Sequence, residues 1–540
     1  MACCLFASLS PELIFAVSDL LPLNARKQLR LTNHAFGELL AGSVLDSICV
    51  FEKPENASDD VAFLVSLAAK GNQARLHIKS IRIGRLRNLI LYETPEAYKP
   101  EWEPPEKAED NIIAGFLACK NLRRISGHAM EGDSQWLLSL VLRTIETVQN
   151  LRELLINGHI FDHGIHFESL NSLESLSILD FDQVGENLPA SVSELIPSCP
   201  HLISLEIHNP YGHNSWSKTH SLQALLGKLY EKQDFRRLSL HGFMVAFNHS
   251  TLRHIKNLVS LSITGQRDHC PDATHGKGAP CTDICDSSPS LWAALFESGI
   301  YLEEVEHDWI SESLIEYLSS FSGLRTLQLQ VQQFENHLQA DAAKLEFFSR
   351  AFPKHASSLE MFIIDSTAES QWRCTPDFLQ HIIGCPRLKR VGFGVDSAML
   401  NKKLGKQDEL PDTNIIKQFL DLALPSLHQL ENAALHSAAL NGYRRSRCGS
   451  SANLTAARTT ALIEENIEHY QSPPGCQYLP CLYVPTEPSF WRIGHAGTCF
   501  TEIQFPGRES DCGWRLRYKR SPEWVGCHED SLEREIAGDS

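Results

Sequence analysis

Residues 192–208 read VSELIPSCPHLISLEIH. In the first half, Val192, Leu195 and Ile196 fall at helical spacing. Cys199-Pro200 then stops the helix, because proline has no N–H and restricts the residue before it. The second half is Leu202-x-x-Leu205-x-Ile207, and its last two apolar residues alternate with polar ones. That is the period of a strand with one buried face. The unit is therefore a helix, a turn and a short strand. It recurs as Leu173-x-x-Leu176-x-Ile178, Phe235-x-x-Leu238-x-Leu240, Leu258-x-x-Leu261-x-Ile263 and Leu324-x-x-Leu327-x-Leu329. Leu359-x-x-Phe362-x-Ile364 and Leu388-x-x-Val391-x-Phe393 follow, and weaker copies start at Ile78, Leu122, Leu151, Leu302 and Leu427. Successive starts are 22 to 44 residues apart, with a mean of about 32. Helical spacing precedes other copies as well: Leu222, Leu225, Leu226 and Leu229 before Phe235, and Phe378, Ile382 and Ile383 before Leu388.

No such unit buries its apolar face alone, so the units must stack, with parallel strands inside and helices outside. The pattern resembles the leucine-rich repeat in its longer, irregular intracellular form, over about residues 74 to 435. The resemblance implies an α/β solenoid, drawn here over residues 51–445. The uneven spacing and the lack of a regular Asn ladder depart from the family pattern, and an ordinary α/β domain is the alternative. Two stretches interrupt the array. Residues 92–111 (YETPEAYKPEWEPPEKAEDN) are rich in Pro and Glu, and residues 265–290 lack periodic apolar positions. Both are expected as loops.

The composition agrees with a folded globular protein. The 540 residues carry 49 Lys+Arg against 66 Asp+Glu, a net charge of −17. That balance argues against a general nucleic-acid binder or a polybasic membrane protein, though not against a small basic patch. No apolar run reaches the length of a membrane span. The N-terminus lacks the basic start and uninterrupted apolar core of a secretory signal. The 16 Cys are then read as reduced thiols of a cytoplasmic or nuclear protein. Cys49, Cys119, Cys199 and Cys385 stand in apolar contexts, as small core residues do.

Residues 9–40 read LSPELIFAVSDLLPLNARKQLRLTNHAFGELL. Ser10 suits an N-cap and Pro11 a first helical turn. Leu13, Val17, Leu20 and Leu21 follow at helical spacing, and Pro22 ends the helix. A second helix carries Ala25, Leu29 and Leu31, and a third carries Phe36, Leu39 and Leu40. So few residues cannot hold a self-sufficient core and must pack on a neighbour or a partner. The stretch is similar to an F-box, placed here at residues 1–50. Ser10 stands where that family often has Pro, and Phe36 about where it has Trp. An F-box followed by leucine-rich repeats is a known pairing, and fungal members often show irregular repeats of this style.

The resemblance implies a substrate receptor of a Skp–cullin–F-box ubiquitin ligase. The helical module would bind the Skp adaptor, and through it the cullin, while the repeats hold a target protein. The positions implied for adaptor contact or its support are Leu9, Pro11, Glu12, Leu13, Val17, Leu20, Leu21, Leu29 and Leu31. The rival reading is a repeat scaffold with no link to ubiquitination, whose N-terminal helices only cap the array.

Residues interleaved with the buried strand positions should line the inner face. Those singled out for a target are Glu206, His208, Arg237, His241, Gln328, Gln330, Asp365 and Arg390. His208 and His241 fall in consecutive copies and are expected side by side. The remaining interleaved positions are mostly Ser and Thr, which suits a hydrogen-bonding protein partner. No phosphate-binding loop, His-Glu-x-x-His or nucleophile elbow occurs, so no catalytic residue and no cofactor is assigned. Cys270, Cys281 and Cys285 with His269 and His275, and Cys476, Cys481, Cys499, Cys512 and Cys527 with His495 and His528, lack the doubled close pairs of a zinc site. Residues 446–540 change character and read as a small cap or a disordered extension, with a helix over Ala457–Tyr470.

Overall fold

The computed structural model describes residues 10–51 (without 20, 22 and 33), 56–84, 108–127, 135–157, 170–179 and 188–208. It also describes 222–264 (without 227, 228, 230–232, 242–244, 246 and 248), 287–366 (without 309 and 332–336), 372–400, 412–438, 451–470, 480–485, 497–502 and 516–521. The chain divides into two compact units: residues 1–244 with 248–257, and residues 245–247 with 258–540.

Unit 1 begins with four short helices, α1 (Pro11–Asp19), α2 (Leu23–Thr32), α3 (His34–Leu39) and α4 (Ala41–Leu45). Seven strands follow: β1 (Ser47–Val50), β2 (Ser80–Ile83), β3 (Arg124–Gly127), β4 (Glu153–Asn157), β5 (Ser175–Leu179), β6 (Ser204–His208) and β7 (Arg237–His241). Each pairs in parallel with the next in chain order. Between them run α5 (Ala57–Leu67), α6 (Ala108–Ala118), α7 (Gln135–Thr147), α8 (Leu188–Leu195) and α9 (Leu222–Leu226), and α10 (His249–Leu252) comes last.

Unit 2 continues the pattern with β8 (Ser260–Thr264), β9 (Glu304–His307), β10 (Thr326–Val331), β11 (Met361–Ser366), β12 (Arg390–Val395), β13 (Asn432–Ser437) and β14 (Cys481–Pro485), again parallel in chain order. Its helices are α11 (Ser287–Glu297), α12 (Glu312–Ser319), α13 (His337–Glu346), α14 (Phe352–His355), α15 (Pro376–Ile383), α16 (Ile415–Ser426) and α17 (Ser451–Glu468). Two antiparallel strands, β15 (Gly497–Glu502) and β16 (Leu516–Ser521), end the sheet.

One backbone device repeats through both units. The N–H groups of two successive residues entering a strand donate to a single carbonyl of the strand before. Lys79 and Ser80 donate to Asp46, Arg123 and Arg124 to Lys79, and Arg152 and Glu153 to Arg123. In unit 2, Arg325 and Thr326 donate to Glu303, Glu360 and Met361 to Arg325, and Lys389 and Arg390 to Glu360. The ladder locks register, so apolar positions fall into columns. One column runs Ile48, Ile81, Ile125, Leu154, Leu176, Leu205 and Leu238. Its counterpart in unit 2 runs Leu261, Val305, Leu327, Phe362, Val391, Ala433 and Leu482. The leading apolar residues of all twelve predicted copies, Ile78 through Leu427, are buried. Burying one such side chain contributes roughly 1.5–3 kcal/mol, so the strong and weak copies form one continuous stack within each unit.

The cysteines ahead of three strands share a structural role. The N–H of Cys119, Cys199 and Cys385 closes the last helical turn onto Phe116, Ile196 and Ile382. Their carbonyls accept from Leu122, Leu202 and Leu388, the leading apolar residues of the next strands. Burial pushes the thiol of Cys119 up to about 11 and those of Cys199 and Cys385 up to about 12. These groups pack rather than react.

The structure redraws several boundaries. Residues 47–50 are the first strand of the sheet, so the helical module ends at Leu45. Residues 108–111, expected as loop, open α6, where Glu109 and Asp110 suit the positive end of the helix dipole. Residues 287–290 likewise open α11. The remaining parts of both expected loops, 92–107 and 265–286, lie outside the described residues. At the other end, α17 and β14 form one more helix–strand repeat, and β14 pairs in parallel with β13. The array therefore reaches Pro485, inside the stretch expected as a separate extension.

Candidate interaction surfaces

The N-terminal module is held by a small core of Ile14, Phe36, Leu40 and Val44, with Leu29 and Leu39 packed against it. Phe36 is buried in this core. The inward residue of α1 is Ile14, not Leu13, which is 54% exposed. Phe15, 39% exposed, stands on the other shoulder of the same helix, since neighbours on a helix are about 100° apart. On α2, Leu31 is 76% exposed. Three large apolar side chains of these two short helices are thus exposed to water.

Of the other adaptor positions, Pro11 and Glu12 are exposed, and Val17 and Leu21 are half-buried. Hydrogen bonds from its own backbone N–H and from Ser10 hold the Glu12 carboxyl below its usual range. Leu29 belongs to the supporting core rather than the surface. Leu9 and Leu20 lie outside the described residues. Phe15 was not among the sequence candidates, because the family pattern gives that position no fixed type.

On the inner face of unit 1, the Ser177 hydroxyl donates to Glu206 Oε2 at 2.9 Å. His208 and His241 are register partners, and their rings lie 4.5 Å apart, tilted by 36°. Both are half-buried, and Arg237 is exposed at the start of β7. The expected adjacency of the two histidines is thus realised.

On the inner face of unit 2, Glu306 is the hub. It accepts from Ser262 Oγ at 2.6 Å and from Gln328 Nε2 at 3.2 Å. Glu306 escaped the sequence reading because its copy, starting at Leu302, has glutamates around a lone Val305. Arg390 is exposed at the start of β12, and Gln330 is the backbone partner of Asp365. Asp365 itself is a correction: it is buried, with Oδ1 3.0 Å from Nε2 of the fully buried His436. Gly394 is the register partner of His436 on the strand between them. With no side chain there, the Asp and His reach each other over it. Asp365 therefore serves the inside of unit 2 and is not available to a target.

Two further buried histidines are structural. His307 Nδ1 lies 2.9 Å from the Ile263 carbonyl, and burial lowers its pKa. His355 joins neighbouring repeats through Leu318 and Leu324. Among the described residues, no group of three or more His, Cys, Asp or Glu is placed to hold a metal ion. The cysteines and histidines of 265–286, together with Cys476, His495, Cys512, Cys527 and His528, lie outside the described residues. No helix among the described residues is long and apolar enough to cross a membrane.

No protein-family model and no curated protein sequence matches the chain. Among solved structures it is similar to the crystal structure of the Rad7 and Elc1 complex in yeast. The identity is 14% and the TM-score 0.37, over 72% of this chain and 77% of that one. The repeat architecture described above rests on the chain's own ladder and register.

Proposed function

We propose that this chain is a recognition subunit that makes no bond itself. Its N-terminal module docks on a Skp-type adaptor of a cullin ubiquitin ligase, and its repeats hold a target protein. The contribution to catalysis is proximity: a held target meets the conjugating enzyme as if the step were unimolecular. The observation that carries the reading is the exposure of Leu13, Phe15 and Leu31 around the small core of Ile14, Phe36, Leu40 and Val44. A helical cap should turn a polar outer face to water, as terminal repeats do. This module keeps large apolar side chains there, which favours docking over the scaffold reading. The F-box resemblance of residues 9–40 supports the choice of adaptor. The inner-face polar groups of each unit support a protein target, and the reading implies work in the cytoplasm or nucleus.

The test is capture of a purified Skp-type adaptor by the full chain and by a Leu13→Asp/Leu31→Asp variant. Both residues are exposed, so the variant should keep its circular dichroism spectrum. Adaptor recovered by wild type and lost by the variant is the expected result. No recovery by either folded protein, or equal recovery by both, would leave only the scaffold reading.

A further inference from the structure

The residues that enter the strands form two columns along the leading edge of each sheet. In unit 2 the first column runs Val259, Glu303, Arg325, Glu360, Lys389 and Glu431. From Glu303 onward the signs alternate, and neighbours pair as far as Lys389. Arg325 lies 3.7 Å from Glu303 and 2.9 Å from Glu360, and Lys389 lies 2.9 Å from Glu360.

The same column in unit 1 runs Asp46, Lys79, Arg123, Arg152, Glu174, Ile203 and Arg236. Here three cations stand on consecutive strands, about 4.8 Å apart. Like charges directly opposite one another destabilise a sheet. The acids of the two columns are already engaged. Lys79 lies 2.6 Å from Asp46 and Arg152 2.9 Å from Glu174, and in the second column Arg124 lies 3.6 Å from Glu153. Arg123, Arg236 and Arg237 are exposed and form no ion pair with any described residue. Ile203, 38% exposed, sits between Glu174 and Arg236. Among the described residues, the cations at this scaffold position are thus all paired with acids in unit 2 and outnumber the acids in unit 1, on a chain of net charge −17.

We infer that the leading edge of unit 1 is a docking strip for an extended acidic peptide segment of a partner protein. One acidic side chain meets Arg123, a second meets Arg236 and Arg237, and an apolar side chain between them covers Ile203. The spacing sets the peptide. Arg123 and Arg236 are four strand steps apart, about 19 Å, which an extended chain covers in about six residues. Ile203 is three steps from Arg123, or about four residues. Charge-assisted pairing to arginine supplies direction and strength, and the apolar contact supplies selectivity. A peptide fits better than a nucleic acid, because the free cations are few and the chain's net charge repels a long polyanion. The inference deepens the receptor reading in one respect, by naming the chemistry of a target segment. Its test uses no adaptor, so the two can fail separately.

The probe is a fluorescein-labelled nonapeptide of Ser and Gly with Asp at its second and eighth positions and Leu at its sixth, together with the reversed sequence. Binding to the full chain is followed by anisotropy at low and moderate salt. At least one of the two should bind and weaken as salt rises. Arg123→Glu/Arg236→Glu should lower its affinity at least tenfold, and Ile203→Ser about threefold. A Lys354→Glu/Arg458→Glu variant, with the same change in net charge at exposed sites elsewhere, should bind within twofold of wild type. Circular dichroism checks that each variant is folded, and an Arg123→Gln/Arg236→Gln pair repeats the test without charge reversal. No binding by either peptide would overturn the inference. So would equal loss in the control variant, or competition by a short RNA as effective as that of the unlabelled peptide.

Discussion

Acid should weaken unit 2 through His355, by an amount its surroundings set. His355 Nδ1 accepts the Leu324 N–H at 3.3 Å, and Nε2 lies 2.9 Å from the Leu318 carbonyl. Both bonds are met only by a neutral ring with its proton on Nε2. Burial, the largest cause, lowers the pKa from 6.5 to about 4, against the opposing pull of the Leu318 carbonyl. In the unfolded chain the ring titrates near 6.5. The unfolded state therefore takes up the proton first as pH falls. The stabilisation is complete above about pH 6.5 and is lost on the way down to about 4. The whole interval is worth about 3 kcal/mol, of which about 2 kcal/mol is gone by pH 5. The assay is urea unfolding of wild type and His355→Leu at pH 8 and pH 5. At pH 8 the variant should be less stable by about 2–4 kcal/mol, because Leu324 N–H and Leu318 O lose their partner. At pH 5 the gap should shrink by about 2 kcal/mol, since the variant has no ring to protonate. A gap of the same size at both pH values would refute the buried neutral imidazole.

Gly115→Ala should be strongly destabilising, because a Cβ there would meet the Leu64 carbonyl oxygen at 2.1 Å, where α5 and α6 touch. Overpacking against backbone costs about 3 kcal/mol or more, read as a melting temperature lower by several degrees. Asp365→Ala should cost about 1–3 kcal/mol by removing the polar neighbour of the buried His436 ring, while peptide binding at the leading edge of unit 1 stays unchanged. Cys199 and Cys385, with thiols raised to about 12, should resist alkylation at pH 8 in the native chain and react fully in urea, as mass spectrometry of the modified peptides would show. Fast labelling of either residue in the folded chain would contradict its buried, protonated state.

The repeat was legible because its signal is redundant. Each copy combines a Leu-x-x-Leu-x-Leu frame with helical spacing ahead of it, and even the weak copies at Ile78 and Leu302 became strands in register. Two copies were missed although the frame was present. Leu45-x-x-Ile48-x-Val50 was absorbed into the helical module, and Leu479-x-x-Leu482-x-Val484 into a stretch dominated by Pro and Cys. On α1 the sequence offers Leu13 for adaptor contact but does not single out Ile14 as core, because PELIFAV is apolar nearly all round. Periodicity cannot choose between Leu13 and Ile14 there; packing against Phe36 and Leu40 does. The Asp365 and His436 contact was beyond the sequence, since it depends on a glycine in a third strand. The charge columns of the leading edge were equally hidden, because their members are separated by whole repeats and meet only once the ladder sets the register.

The paired N–H ladder also bears on how such a protein changes over generations. It fixes the step between strands while leaving the span of chain between them free, and copies here start 22 to 52 residues apart. An insertion in the chain between two strands shifts no rung of the sheet. What selection must preserve in each copy is a handful of apolar positions and a turn, and those positions accept Leu, Ile, Val or Phe alike. Lineages carrying this architecture should therefore lose recognisable kinship in sequence well before they lose it in shape. The geometry of the inner sheet and its leading edge would be the slower clock.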